Sequence, residues 1–375
     1  MQHLAQTFGC AIGSLPFTYL GLPMGTTKPR MENLTPMMDI VERRLSGYAT
    51  WLSYTGRLQM INSAITPIVT YALCSIKLRR GVIDNIDRIH KQCLWRGNTD
   101  KKRGNNLVAW EIVQKPKEKG GLGVINLKLQ NDALLLKHLH KFYNQTDTPW
   151  VQLVWHKYYQ NRMPHATREL GSFWWKDVMH LSNIYRTISR CSIGNGVIAC
   201  FWEDPWDDGI LATLFPRIAS FAKTSSTSVQ EIMHYPDLDS IFFLPLSSQA
   251  TEELQQLQMH IQNISYDDDA IDLWQPTWGS EYTSRKFYKH AFDNLDCHPV
   301  FKSIWKSKCT NRIKFFAWLL LVDRLNTKTM LTRRHIFVHN DELCVMCNTG
   351  AAETINHLFF TCPFARQCWA KINIS

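Results

Sequence analysis

Cys344, Cys347, His357 and Cys362 stand in the order C-x2-C-x9-H-x4-C. Three thiols and one imidazole at this spacing form the ligand set of a closed tetrahedral zinc site. No other stretch restricts the fold as much, because four side chains must converge on one point. The first pair can bind from a single tight turn. The second pair is harder to place. Residues five apart on a straight α-helix point roughly 140° away from each other at 3.6 residues per turn. His357 and Cys362 therefore cannot share an ion from within one such helix. Pro363 disfavours helical geometry at Cys362, so the helix carrying His357 is expected to end just before it, with Cys362 swinging back from a loop. Four protein ligands leave no open coordination position, so one structural Zn2+ is expected. The plain alternative is a set of ordinary buried cysteines. Eleven cysteines in the chain leave competitors open: Cys368 could stand in for Cys362, and His335 and His339 are spare ligands, although surface or core positions are the simpler reading of each.

Charge supplies the second signal. The chain of 375 residues carries a net charge of +10. From Val300 to Asn340 nine Lys/Arg face a single acid, Asp323, and from Lys77 to Lys119 twelve basic residues face five acidic ones. Such density attracts polyanions, and phosphate contacts supply most non-specific nucleic-acid affinity. The bland alternative is a solvated helix face. Phe315, Phe316 and Trp318 interleave with the C-terminal cluster and read as core rather than as base-stacking groups. Apolar residues make up 45% of the chain, so a folded protein is expected. The longest apolar run, Phe315 to Val322, falls short of the roughly 18 residues a membrane span needs. An odd cysteine count without a secretory leader pattern argues for a reducing compartment, nuclear or cytoplasmic, over secretion.

Periodicity predicts a mainly α chain with minor β. Helices are expected between Arg30 and Trp51 with Gly47 as a stop, from Gly56 to Lys77 with a kink or split at Pro67, from about Ile83 to Trp95 ending near Gly97, and from Leu127 to Tyr143. A basic loop, Lys101-Lys102-Arg103, follows the third. Lys119-Gly120-Gly121-Leu122-Gly123 reads as a turn. Ile193-Gly194-Asn195-Gly196, with Phe201 and Trp202 beyond it, reads as a short β-hairpin. Ser220 to Ser248 reads as a linker between two units, followed by a helix over Leu254, Leu257, Ile261 and Ile264.

Several segments together resemble the C-terminal part of plant LINE-type (non-LTR) retrotransposon reverse transcriptases. They include Tyr19-Leu20-Gly21-Leu22-Pro23-Met24-Gly25, Ser46-Gly47, Trp51-Leu52-Ser53 and Gly56-Arg57-Leu58. Trp110, Pro116-Lys117, Gly120-Gly121-Leu122-Gly123, Asn126-Leu127 and Asn131 continue the likeness. Ile193-Gly194-Asn195-Gly196 and Phe201-Trp202 with Asp204 and Trp206 follow. The end is similar to the reverse-transcriptase zinc-binding module, with Trp305, Lys314, Phe316-Ala317-Trp318, Arg324-Leu325, the four ligands, Glu353, His357-Leu358-Phe359-Phe360, Cys362-Pro363 and Trp369.

The resemblance implies a thumb-like helical region at 1–145, a connector at 146–265 and a zinc-binding domain at 266–375. It places the polymerase palm upstream of Tyr19, so the catalytic aspartates are expected to be absent and the chain is not expected to polymerise. Tyr266-Asp267-Asp268-Asp269 imitates the palm motif but lies in a polar connector, where a solvated loop is expected. In the intact family the thumb grips primer–template, and the zinc module helps hold RNA or target DNA. The implied capability is therefore zinc-stabilised binding of RNA or DNA. Lys306, Lys308, Arg312, Lys314, Arg333 and Arg334 are the candidate phosphate contacts, and the zinc ligands are expected to fix the last helix against the one around Trp318. Two other readings stay open: action in trans beside a separate palm, and a zinc-stapled module for protein partners.

Overall fold

The computed structural model describes the chain except residues 1, 47–50, 97–105, 160–162, 165–169, 207–208, 263, 265, 280, 337–341 and 374–375. The expectations at Gly47, Gly97, Lys101-Lys102-Arg103 and His339 lie outside the described residues. Among those described, helices dominate. Two small antiparallel pairs are the only sheets, Phe17–Tyr19 with Leu22–Met24 and Ser189–Ser192 with Leu273–Pro276. The fold class is mainly α with minor β, as the periodicity implies.

Residues gather into two compact units, each drawn from three stretches of chain. The first comprises Met1–Met37, Val69–Ile83 and Leu127–Ala291; the second comprises Met38–Ile68, Asp84–Asn126 and Phe292–Ser375. Compactness thus groups the chain differently from the three regions implied by resemblance, whose bounds remain a proposal about lineage.

In the first unit the helix Leu127–Tyr143 is the axis of an aromatic core. Its apolar residues recur at helical spacing, and Leu135, Leu136, Leu139, Phe142 and Tyr143 are fully buried. Phe142 stacks on Trp155 at 4.5 Å and meets Trp175 edge-on at 4.7 Å. Such pairs add about 0.5–1.5 kcal/mol each beyond the area they bury. Buried Trp175 satisfies its indole N–H on the Tyr159 hydroxyl at 2.8 Å. Asn131 on the same helix accepts from Leu78 N and donates to the carbonyls of Leu73 and Ile76. One buried amide therefore satisfies the backbone where the helix Thr66–Ser75 ends.

Two expectations fail in this unit. Residues Ser189–Ser192 do not open a local hairpin; they pair with Leu273–Pro276, Cys191 opposite Trp274. The Gly194-Asn195-Gly196 turn instead wraps the carboxylate of Asp272. Gly194 and Gly196 donate their N–H groups to Oδ1 at 2.9 and 2.8 Å, and Ile198 donates to Oδ2 at 3.0 Å. Gly194 is required sterically, since a Cβ there would fall 2.4 Å from the carbonyl oxygen of Ala270. Ser220 to Ser248 is not a linker either. Val229, Ile232 and Phe242 are buried in the same core as Tyr143 and Trp202, and Ser228 forms a capping box with Glu231 at the start of Val229–Met233. Asp267, Asp268 and Asp269 are exposed, as expected of a solvated loop.

In the second unit Pro67 acts as predicted but by an unforeseen route. The helix Tyr54–Met60 widens into a π turn over Ile61–Ile65 before Thr66–Ser75 begins. Thr66 N–H and Oγ1 both reach the Ile61 carbonyl, so the ladder shifts register one residue ahead of the proline that cannot donate. Phe315 stacks on Tyr54 at 5.5 Å and lies 6.4 Å from Trp95. Fully buried Trp318 donates its indole N–H to the Gly120 carbonyl at 2.9 Å. The glycine turn is thus a docking point for Trp318. Gly120 sits at φ +84°, and a Cβ on Gly121 would lie 2.0 Å from the Lys115 carbonyl oxygen.

His90, in the helix Arg80–Arg96, is fully buried, and its ring nitrogens have no hydrogen-bond partner among the described residues. Burial pushes its pKa down to about 4, against roughly 6.5 for a free imidazole. The unfolded chain therefore takes up this proton first. Stability is complete above about pH 6.5 and is lost as pH falls towards 4, by about 2 kcal/mol at pH 5. His90→Gln is expected to flatten that part of the pH profile in urea denaturation; an unchanged slope between pH 7 and 5 would show that other groups carry the acid sensitivity.

Candidate metal centre

The metal centre is assembled in the second unit from a small hairpin and an unusual turn. Leu343 bridges Ala352 in antiparallel fashion, with Cys344 N–H on the Ala351 carbonyl at 2.9 Å and Glu353 N–H on the Glu342 carbonyl at 2.7 Å. This hairpin presents Cys344-Val345-Met346-Cys347 as a tight loop, and Met346 N–H points to Cys344 Sγ at 3.4 Å. Glu353 also tethers the neighbouring helix Lys328–Arg333, accepting from Lys328 N–H through Oε1 at 3.1 Å. Its backbone carbonyl accepts from Thr329 Oγ1 at 2.9 Å.

The second ligand pair is solved by a π turn. His357–Thr361 is a single wide turn, closed by Cys362 N–H on the His357 carbonyl at 2.7 Å. An i→i+5 bond stacks residues five apart, so His357 and Cys362 reach the same side. Cys362 then adopts an extended conformation, φ −63° and ψ 130°, and Pro363 opens the helix Pro363–Lys371. The expected helix end at Cys362 holds. Helical periodicity alone does not reveal the wide turn; its signature is the x4 spacing between two ligands that must share one side.

The four ligand atoms lie within 4.8 Å of one another, and Cys347 Sγ is 3.3 Å from His357 Nε2. A tetrahedron built on ~2.3 Å zinc–sulfur bonds has edges of about 3.8 Å, so small inward shifts suffice to close it. Cys362 is fully buried, Cys344 and His357 nearly so, and Cys347 is half-buried. All four residues offer the right atoms: with Nε2 turned inward, Nδ1 faces Thr361 Oγ1 at 3.4 Å, the outer hydrogen bond that orients a ligating imidazole. The Thr349 hydroxyl beside Cys347 pulls its thiol down to about 6, whereas burial, with the neighbouring thiols adding to it, pushes Cys344 up. Three sulfurs this close cannot all ionise unaided, and a divalent cation removes the conflict. The donor set fits one zinc ion.

The spare ligands fall away. Cys368 and His335 are exposed and outside the cluster. The last helix is fastened by Trp369, whose indole N–H donates to the Phe359 carbonyl at 2.6 Å. Contact with the apolar helix Asn311–Leu321 runs through Phe316, 6.0 Å from Phe359, while Trp318 turns to Gly120. Phe316 is 47% exposed, so it is not the core residue expected. Helical spacing sets it about 100° round from Phe315, on the flank of the buried stripe formed by Phe315, Trp318 and Leu319.

The basic candidates separate into two kinds. Lys306, Lys308 and Arg312 are exposed. Lys314 is half-buried and gives its ammonium to the Trp305 carbonyl at 3.1 Å. Arg333 pairs with Asp323 at 3.0 Å on the surface, and half-buried Arg334 donates to the Leu107 carbonyl at 3.0 Å. Arg324 is also half-buried beside them, a residue that charge counting alone did not single out.

Residues 282–369 match the family described as zinc-binding in reverse transcriptase. The chain is similar to a putative ribonuclease H protein of Arabidopsis thaliana, 23% identical over 94% of this chain and 57% of that protein. It is also similar to an uncharacterized mitochondrial protein of Arabidopsis thaliana, 29% identical over 30% of this chain and 75% of that protein. The chain thus spans little more than half the length of the first relative. The matched segment contains all four ligand residues. With the zinc ligands gathered at one point inside that segment, the C-terminal region of the chain is similar to the zinc-binding module of reverse transcriptases, as the resemblance implied.

Proposed function

We propose that this chain binds RNA or DNA strands through their phosphates, with the zinc centre holding the C-terminal part of the binding surface in shape and with no polymerase chemistry of its own. One observation carries the reading: basic groups from two distant stretches of sequence converge within the second unit. Lys117 Nζ sits 4.8 Å over the Trp305 ring, whose backbone carbonyl takes Lys314 Nζ. Burial, reinforced by Lys314, lowers the pKa of Lys117. Like charges held together against their own repulsion suit a polyanion. Lys306, Lys308 and Arg312 supply exposed cations on the same basic stretch.

The test is the salt dependence of binding to a labelled single-stranded RNA and to duplex DNA. Log affinity is expected to fall steeply and linearly with log salt, and each of Lys306→Gln, Lys308→Gln and Arg312→Gln is expected to reduce the slope by about 1. A flat slope rules out the phosphate reading. A primer-extension assay on the chain alone is expected to be blank, and extension would establish a polymerase role, in cis or beside a separate palm. No helix of the described residues is long and apolar enough to cross a membrane.

A second reading has its own support. Met346, Leu358, Phe359, Phe364, Trp369 and Ile372 line an apolar groove of about 390 Å³ next to the metal ligands. Exposed apolar surface of this kind marks protein contacts. Under this reading Phe364→Asp abolishes a protein interaction while zinc content and strand affinity stay unchanged.

A further inference from the structure

Asn311–Leu321 ends in a turn that sets Arg324 beside the helix Lys328–Arg333, and Arg334 follows at that helix's C-terminus. Arg324, Arg333 and Arg334 line one basin of about 540 Å³, whose other walls include Leu107, Ala109 and Met330. That volume lies within the ~300–1,000 Å³ of small-molecule sites. Three arginines line it, and Asp323 is the acid that pairs with one of them, Arg333. The three are held differently. Arg334 spends one N–H on the Leu107 carbonyl at 3.0 Å, and Arg324 spends one on the Asp323 carbonyl at 2.9 Å. A guanidinium has five donors, so each anchored fork keeps others to offer. Arg333 is exposed, and its contact with Asp323 is a surface pair that a phosphate can displace. Burial and the nearby Arg324 both lower the pKa of Arg334, an effect that an anion in the basin would offset.

We infer that this basin is a nucleotide subsite, in which Arg324, Arg333 and Arg334 hold one phosphate of a strand while Leu107, Ala109 and Met330 receive the attached sugar and base. The inference rests on the nucleic-acid reading above and narrows it to one place. Planar guanidinium forks match phosphate oxygens in pairs, and the net positive charge of the basin complements the single negative charge of a strand's phosphodiester, and still more the roughly −1.5 to −2 of the monoester in a mononucleotide. The half-apolar wall separates this site from a bare anion patch. Met330 is 3% exposed and forms a firm floor.

The experiment uses the full chain and three probes: adenosine monophosphate, inorganic phosphate and a short labelled single-stranded RNA. Adenosine monophosphate is expected to bind by calorimetry and to compete with the RNA, and inorganic phosphate is expected to bind at least tenfold more weakly. Arg324→Gln and Arg333→Gln are each expected to weaken adenosine monophosphate binding about tenfold or more, as loss of a charge-assisted hydrogen bond to phosphate does. Arg333 is exposed and its substitution disturbs no buried contact, so the test stands even if Arg324→Gln fails to fold. Adenosine monophosphate binding unchanged in Arg333→Gln overturns the subsite, as does wild-type protein that binds no adenosine monophosphate. Equal binding of inorganic phosphate overturns the nucleotide assignment. The two readings fail separately. RNA binding with a steep salt slope but no mononucleotide binding sinks only the subsite, whereas mononucleotide binding without RNA binding sinks only the broader proposal.

Discussion

Cys362→Ser is expected to drop the zinc content of the purified chain from one ion to well below one and to unfold residues 342–371, while the first unit stays folded. Cys362 is the fully buried ligand, and its backbone N–H closes the π turn that brings His357 to the site. The metal joins a two-residue bridge, one turn and a nine-residue helix, none of which buries enough apolar surface to stand alone. For such small elements metal binding is folding free energy, about 10 kcal/mol in zinc-finger peptides. That matches the whole stability of a small domain, ~5–15 kcal/mol. Native mass spectrometry gives the stoichiometry, and hydrogen exchange with and without a strong chelator reads the order of 342–371. Exchange protection that survives chelation would mean the thiols merely fill a core. Loading should also fall with acidification, since protons compete for the same sulfurs and imidazole.

Asp272→Ala is expected to destabilise the first unit by about 4 kcal/mol, a value below the sum of three charge-assisted bonds at roughly 1.5–3 kcal/mol each. The side chain is 1% exposed and accepts from Gly194, Gly196 and Ile198, so its removal leaves three donors buried without partners. Asp272→Asn keeps the shape but turns an amide N–H towards one of those donors, and about half the loss is expected. The midpoint of urea unfolding, followed by tryptophan fluorescence, reports both. A shift of less than ~1 kcal/mol for the alanine variant would show that the turn holds its form without the carboxylate.

Local pattern carried far in this chain. The helix Leu127–Tyr143 follows directly from its 3.6-residue apolar recurrence, and the stop at Pro363 places the Cys362 ligand in a loop as expected. The metal ligands were readable because their chemistry depends on residue type and spacing alone. What failed was non-local. Ile193-Gly194-Asn195-Gly196 has the composition of a hairpin turn, and only Asp272, far along the chain, decides that the glycines instead cradle a carboxylate. Ser220 to Ser248 looked like a linker because its polar residues outnumber the few apolar ones that matter, Val229, Ile232 and Phe242. Arg324, which the sequence offers only as part of the basic stretch and of the resemblance, is not separable there as a phosphate contact, because its place beside Arg333 and Arg334 exists only in the folded chain.

Trp318 and its bond to the Gly120 carbonyl bear on how the zinc-binding segment can be studied. Similarity marks that segment as 282–369, yet the acceptor for its central indole lies at 120, and the rings that cover Phe315 lie at 54 and 95. A protein cut at the similarity boundaries would keep every metal ligand and lose the surfaces against which its main helix rests. Such a piece should load zinc and still aggregate, because Phe315 and Trp318 would meet solvent. Heredity and cohesion draw different borders here, and an expression boundary set by the first would cut through the second.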